Sequence, residues 1–253
     1  MNIELLNSYP EDNSLNRPIN RGSMTLLRDL ITYKVENFSN VKNIVELGVG
    51  GGGKHVFWGN VFLDANVYGV EIFHPNGEWA SSLNKEMFDF FMKGYECSTR
   101  QVVDLENVTL LHGFDSYKQE TIDVLVKYLN DEKLDFIVDD SDPNGNEVQT
   151  DRINAHNMWK TILKDDGFFW SETLMGQGTD NAIALQGTEK NEEFMKEYAR
   201  NGWVLFDLTP YANYERLQAP SNSYFGIWAH DLGLYKDVLL KYEDCILYGR
   251  ENF

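Results

Sequence analysis

Asn43-Ile-Val-Glu-Leu-Gly-Val-Gly-Gly-Gly-Gly53, followed by Tyr68-Gly-Val-Glu-Ile72, is the stretch on which the fold turns. Ile44, Val45 and Leu47 make a short apolar run of the kind that parallel sheets bury on both faces. The glycines behind them turn the chain sharply and let backbone approach a ligand that a Cβ would exclude. A second apolar strand ends in Glu71, a carboxylate placed to take the two hydroxyls of a ribose. Strand, glycine turn, helix, strand and acid is the order in which a doubly wound α/β domain binds an adenosine-containing cofactor.

Gly48, Gly50 and Gly53 also satisfy the dinucleotide pattern G-x-G-x-x-G, so the glycines alone do not select the cofactor. Glu46, two positions ahead of the first glycine, does. A carboxylate beside a pyrophosphate would repel it, whereas S-adenosylmethionine (SAM) has no phosphate and carries a sulfonium and an ammonium. Glu46-Leu-Gly48-Val-Gly50 resembles the first motif of class I SAM-dependent methyltransferases. The bland alternative is a glycine turn that binds nothing.

The chain of 253 residues suits one α/β domain spanning residues 1–253, in which polar residues 1–22, with Pro10 and Pro18, form an N-terminal arm or lid without strong secondary structure. No apolar run is long enough to span a bilayer, and the first residues lack the basic and apolar regions of a signal peptide. Cys97 and Cys245 suggest neither a disulfide framework nor a zinc site. The expectation is a cytoplasmic protein with no membrane partner. A net charge of −18, from 22 Lys+Arg against 40 Asp+Glu, argues against a nucleic acid polymer and for a small-molecule substrate. A homo-oligomer stays open.

Apolar spacing predicts helices over 23–38, from 54, over 79–95, over 119–129, over 148–163 and near 190–200. Strands are expected at 43–47, 67–72, 108–112, 134–139 and 168–172, with Lys164-Asp-Asp-Gly167 as a helix stop. A late pair near 203–208 and 224–229 fits an antiparallel hairpin at one edge. The expected fold is a doubly wound, mostly parallel seven-stranded sheet, Rossmann-like, with helices on both faces. Residues 174–188, rich in Gly, Thr and Asn, read as an active-site loop.

Ligands of open α/β sheets sit beyond the carboxyl ends of the strands. To that edge the sequence delivers Glu46, Glu71, Asp139, Asp140 and Glu172, with Asp115 following the third strand. Burying such carboxylates is costly unless they are paired or bind a cation. Asp140 and Glu172, on adjacent strand ends, offer two hard oxygen donors that suit Mg²⁺ or a similar divalent ion, which would hold a substrate hydroxyl and lower its pKa. Asp142 is placed to take the proton as general base, and His156 is a second candidate. Singly, each acid also reads as a strand-end cap, and His156 as a satisfied core histidine.

The segment from Gly113-Phe-Asp-Ser through Asp135-Phe-Ile-Val-Asp-Asp-Ser-Asp142, Leu163-Lys-Asp-Asp-Gly167 and Glu172-Thr-Leu is similar to metal-dependent sugar O-methyltransferases of the macrocin and mycinamicin type. The resemblance covers roughly residues 24–175. It implies Asp140 and Glu172 as metal ligands, and Glu46, Glu71 and Asp115 as cofactor contacts; Gly48, Gly50 and Asp139 are further candidates for cofactor binding. The implied reaction is methyl transfer from SAM to a hydroxyl of a sugar or nucleotide-linked sugar. Two positions depart from the pattern: Pro143 stands where that type has its histidine base, and Thr173 where it has a second acid. Tyr211, Tyr214 and Tyr224 are candidates for a rim that stacks on a sugar. The alternative is amine chemistry. Asp139-Asp-Ser-Asp-Pro-Asn-Gly145 is similar to the acidic loop of spermidine synthases, which implies an aminopropyltransferase or an amine N-methyltransferase.

Overall fold

The computed structural model describes residues 1–8, 23–38, 40–49, 53–72, 106–141, 148–172, 189–208 and 224–253. The helix expected over 79–95, the loop 174–188, Tyr211 and Tyr214 lie outside these residues. The elements are α1 (Ile3–Ser8), α2 (Ser23–Asn37), β1 (Asn43–Leu47), α3 (Gly53–Val61), β2 (Asn66–Glu71), β3 (Val108–His112), α4 (Gln119–Leu129) and β4 (Leu134–Asp139). They continue with α5 (Val148–Lys160), β5 (Leu163–Ser171), α6 (Glu189–Arg200), β6 (Val204–Asp207), β7 (Tyr224–Ala229), α7 (Lys236–Leu239) and β8 (Ile246–Tyr248).

The strands form one sheet in the order β3-β2-β1-β4-β5-β7-β6-β8. The first five run parallel, and β7 lies antiparallel between β5 and β6. The doubly wound, mostly parallel expectation holds, with its antiparallel strands at one edge. The eighth strand comes from the Tyr/Leu-rich tail, where Ile246 and Tyr248 pair with Phe206 and Leu205. Its three residues are too short to show an alternating pattern in sequence.

Two apolar layers cover the sheet. One gathers Leu26, Leu30 and Ile31 of α2, Trp58 of α3, and Tyr235, Val238, Leu239 and Tyr242 of the tail over Ile44, Phe136 and Phe168. The other packs Ile122, Leu125 and Leu129 of α4, Trp159 of α5, and Phe194 and Tyr198 of α6 over Val45, Ile137 and Phe169. In α4 the buried Thr121, Ile122, Leu125 and Leu129 follow helical spacing, and Asn130 ends the helix in the left-handed region at φ 50°.

Two expectations need correction. The first residues are not all irregular: α1 docks through an Asn2 N–H bond of 2.6 Å to the Val61 carbonyl and buries Leu6. Lys164-Asp-Asp-Gly167 does not end a helix. Helix α5 stops at Lys160, and β5 already begins at Leu163, opposite Leu134 across a register shift. Polar residues fit that strand because Lys164 and Asp166 are tied into ion pairs with Asp135 and Lys34. No described helix is long and apolar enough to cross a membrane.

Candidate functional site

Side chains along a strand alternate between faces, and that parity sorts the acids at the carboxyl edge. In β4, Phe136 and Val138 join the layer under α3, while Ile137 joins the layer under α5. Asp139 and Asp140 therefore diverge. Asp139 reaches His156 of α5 at 2.8 Å, and Asp140 reaches Lys54 of α3 at 2.9 Å. The same split separates Ser171, which donates to Asp139 at 3.2 Å, from Glu172, which accepts from Lys54 at 2.8 Å.

Asp140 and Glu172 do converge, as the metal reading requires, but on an ammonium. One oxygen of each carboxylate accepts from Lys54 Nζ, and the Glu172 side chain is 1% exposed, Lys54 12% and Asp140 27%. Among the described residues no group of three or more His, Cys, Asp or Glu comes together to hold a metal ion. As it stands, the pair does not fit a divalent ion.

The cofactor turn is set by Gly48. Its φ of +76° is left-handed, and a Cβ there would lie 2.5 Å from Ser141 Cα and 2.7 Å from Ser141 N. Its N–H donates to the Val70 carbonyl at 2.9 Å while Asp140 N–H donates to the Leu47 carbonyl at 2.9 Å, so three strand ends are drawn together behind the turn. Glu46 faces α3 and is buried beside the fully buried His55. His55 Nδ1 lies 3.3 Å from Glu46 Oε2, yet that oxygen and both ring nitrogens lack a hydrogen bond. Gly69, paired with Glu46 across β1 and β2, makes room for the ring, since a Cβ there would lie 2.8 Å from His55 Cε1.

Glu71 ends β2, buried, with its carbonyl accepting from Phe114 N–H at 3.2 Å. Asp115 lies just beyond β3, where its side chain accepts from Tyr117 N–H at 2.9 Å and its carbonyl from the Thr121 hydroxyl at 2.5 Å. Both stand at the carboxyl edge of the sheet. Gly50 and Asp142 lie outside the described residues.

Asp139 and His156 belong to a network on the α5 face. Asp139 accepts from Ser141 N–H at 3.0 Å, from the Ser141 hydroxyl, and from Arg152 Nη2 at 3.4 Å, besides His156 and Ser171. Burial pushes its carboxyl up, but the His156 hydrogen bond and the Arg152 charge outweigh that and hold it well below the usual range. His156 is 2% exposed, meets the Tyr198 hydroxyl at 3.2 Å through Nδ1, and packs on Phe169 and Trp203. Burial lowers its pKa, against the pull of Asp139, so the ring is neutral. Asp139 thereby fixes Ser141, against which Gly48 packs, and His156 holds Asp139 from behind.

Lys54, Arg152, Ser171 and Tyr198 were not singled out from the sequence. For Lys54 a signal existed. A lysine in the first turn of a helix opposes the dipole, and α3 has no acid in that turn to compensate it. The charge had to be answered from the strand ends.

No family model and no curated protein matches the chain. Chains of known structure are distantly similar to it. The O-methyltransferase TomG from Streptomyces achromogenes, involved in tomaymycin synthesis and solved with SAM, is 9% identical over 88% of each chain, with a TM-score of 0.49. The N-methyltransferase NodS from Bradyrhizobium japonicum is 11% identical over 81% of this chain and 90% of that one, with a TM-score of 0.44. The Methanococcus jannaschii fibrillarin pre-rRNA processing protein is 16% identical over 75% of this chain and 66% of that one, with a TM-score of 0.44.

Proposed function

We propose that this protein is a SAM-dependent methyltransferase acting on a hydroxyl of a small molecule, a sugar or nucleotide-linked sugar. The observation that carries the reading is the turn after β1. Gly48 at φ +76° brings backbone to the carboxyl edge of the central strands, flanked by buried Glu46 and Glu71. Glu46 Oε2 is buried without a hydrogen bond, an acceptor left for a cation, and SAM offers one in its ammonium. A pyrophosphate would instead meet a negative group there.

SAM, when bound, supplies a methyl group on a sulfonium that leaves readily. Everything else falls to the chain. Glu71, at the end of β2, would accept the two ribose hydroxyls, and Asp115, beyond β3, would be a further cofactor contact. Asp139, itself held by His156, fixes the Ser141 backbone against Gly48 and so the turn proposed to receive the cofactor. Asp142 is the proposed base that takes the hydroxyl proton, and catalysis is mainly the in-line positioning of that oxygen. The acidic chain and the resemblance to sugar O-methyltransferases support a sugar hydroxyl as acceptor.

Calorimetric titration with S-adenosylhomocysteine is expected to show saturable binding that Glu71→Ala weakens by about 10-fold to 100-fold, the loss of about 1.5–3 kcal/mol in hydrogen bonds to a charged group. Tight NADH binding without any response to the homocysteine compound would overturn the cofactor. Mass spectrometry after incubation with SAM and a panel of sugars, nucleotide sugars and polyamines tests the acceptor. One added methyl on a sugar supports the proposal, and a methyl on an amine nitrogen moves it to the amine reading.

A further inference from the structure

We infer that Lys54 is the site's own cation: its ammonium occupies the position between Asp140 and Glu172 that a divalent ion would take, and the acceptor side of the site works without one. The inference rests on the proposed function only for what the site does. Whether the pair takes an ion is independent of whether SAM binds.

Lys54 Nζ lies 2.9 Å from Asp140 Oδ2 and 2.8 Å from Glu172 Oε2, so it stands between the two oxygens that an ion would have to share. A magnesium ion needs oxygens at about 2.0–2.1 Å in a near-octahedral shell. Placed on these two oxygens, it would sit on the ammonium, and the two cations exclude one another. Displacing Lys54 would send its charge out over a helix N-terminus, where the dipole is also positive, with no acid in the first turn to receive it. The carboxylates hold the lysine, and the lysine holds them.

The arrangement also differs from a surface ion pair. Glu172 is 1% exposed at the end of a strand whose preceding five residues are all buried, so its charge needs a fixed partner. The lysine arrives from α3, directly behind the cofactor turn, which ties the acceptor side to the cofactor side through one side chain. The metal assignment rests on the two acids, whereas the lysine between them stands 86 residues before Asp140.

The test is Mn²⁺ binding followed by electron paramagnetic resonance, with thermal unfolding in parallel. The wild-type protein is expected to show no saturable binding up to about 1 mM Mn²⁺, the weak end of the range for protein carboxylate sites. Lys54→Gln, which removes the ammonium from both carboxylates, is expected to bind Mn²⁺ at least about tenfold more tightly. Its melting temperature should rise with added Mn²⁺ while that of the wild type does not, and Asp140→Asn in the same background should abolish the gain. Should Lys54→Gln be partly unfolded, recovery of the folded fraction on adding Mn²⁺ is the same result. Wild-type binding that Asp140→Asn or Glu172→Gln removes would overturn the inference, as would a Lys54→Gln protein that does not respond to the ion. Wild-type binding that neither substitution affects places the ion elsewhere and leaves the lysine in its role.

Discussion

Each end of the sheet holds a lysine between carboxylates, and the two arrangements are built differently. At the amino end, Asp135 is fully buried and takes Lys164 on both oxygens at 2.9 and 2.8 Å, with Lys34 at 3.6 Å. The backbone N–H groups of Lys42 and Asn43 also donate to it, at 2.8 and 2.9 Å. Lys34, itself fully buried, donates to the Asp166 carbonyl at 3.0 Å. At the carboxyl end, Lys54 is joined to Asp140, whose side chain is 27% exposed. Backbone donors on a carboxylate knit α2, β1, β4 and β5 into one unit. A lysine held by two side chains, one of them open to water, is suited to meeting a ligand. The same ion-pair chemistry thus serves cohesion at one end and, in the proposed function, the site at the other.

The largest expected effect follows from the closed end. Asp135→Ala strands Lys164 and two backbone N–H groups and leaves Lys34 with Asp166 alone, and breaking a buried pair of this kind costs about 3–5 kcal/mol. Asp140→Asn, with a partly exposed partner that keeps Glu172, is expected to cost about 1 kcal/mol in stability. Urea unfolding of both variants checks the contrast. Equal losses would break the comparison and make the carboxyl-end cluster structural too.

Gly48→Ala comes next. The alanine would hold a left-handed φ with its Cβ 2.5 Å from Ser141 Cα, both backbone constraints with no flexible side chain to yield. Strain of that kind costs about 1–3 kcal/mol. Urea unfolding measures it, and calorimetry with S-adenosylhomocysteine should show a proportionally larger loss of binding, because the displaced strand end is the proposed cofactor site. Stability lost with binding untouched would separate Gly48 from the cofactor.

The sequence made the sheet legible because buried parallel strands are continuous apolar runs. Ile44-Val45, Phe136-Ile137-Val138 and Phe168-Phe169-Trp170 are all buried. The acids at their ends were legible for the same reason, since a carboxylate closing such a run is conspicuous. What each acid touches was not. Asp139 and Asp140 are neighbours in sequence and point to opposite faces, so the choice between network and site depended on a register that one strand alone does not fix. Lys54 and His156 come from helices whose packing angle decides what they reach. Polar β5 residues Lys164 and Asp166 read as a helix stop because their partners, Asp135 and Lys34, are distant in sequence.

A third lysine near the amino end sharpens the comparison with the smallest effect, because it has aromatic faces in place of carboxylates. Lys160 Nζ lies 4.6 Å from the ring centroid of Trp228 and 5.2 Å from that of Trp203, and donates to Asn157 Oδ1 at 2.9 Å. Burial pushes its ammonium down to about 8 from the usual 10.5. Between these values the unfolded chain binds more protons than the folded one, so stability rises with pH. The contribution is present in full above the unfolded pKa and is lost as pH falls through the folded one. Over that window one proton is worth about 1 kcal/mol per pH unit. Urea unfolding from pH 8 to about 9.5, below the range where free tyrosines ionise, should show this slope in the wild type, and Lys160→Met should flatten it. Identical slopes would mean that the two tryptophan faces keep the ammonium charged, so that aromatic rings answer a buried lysine as well as Asp135 does.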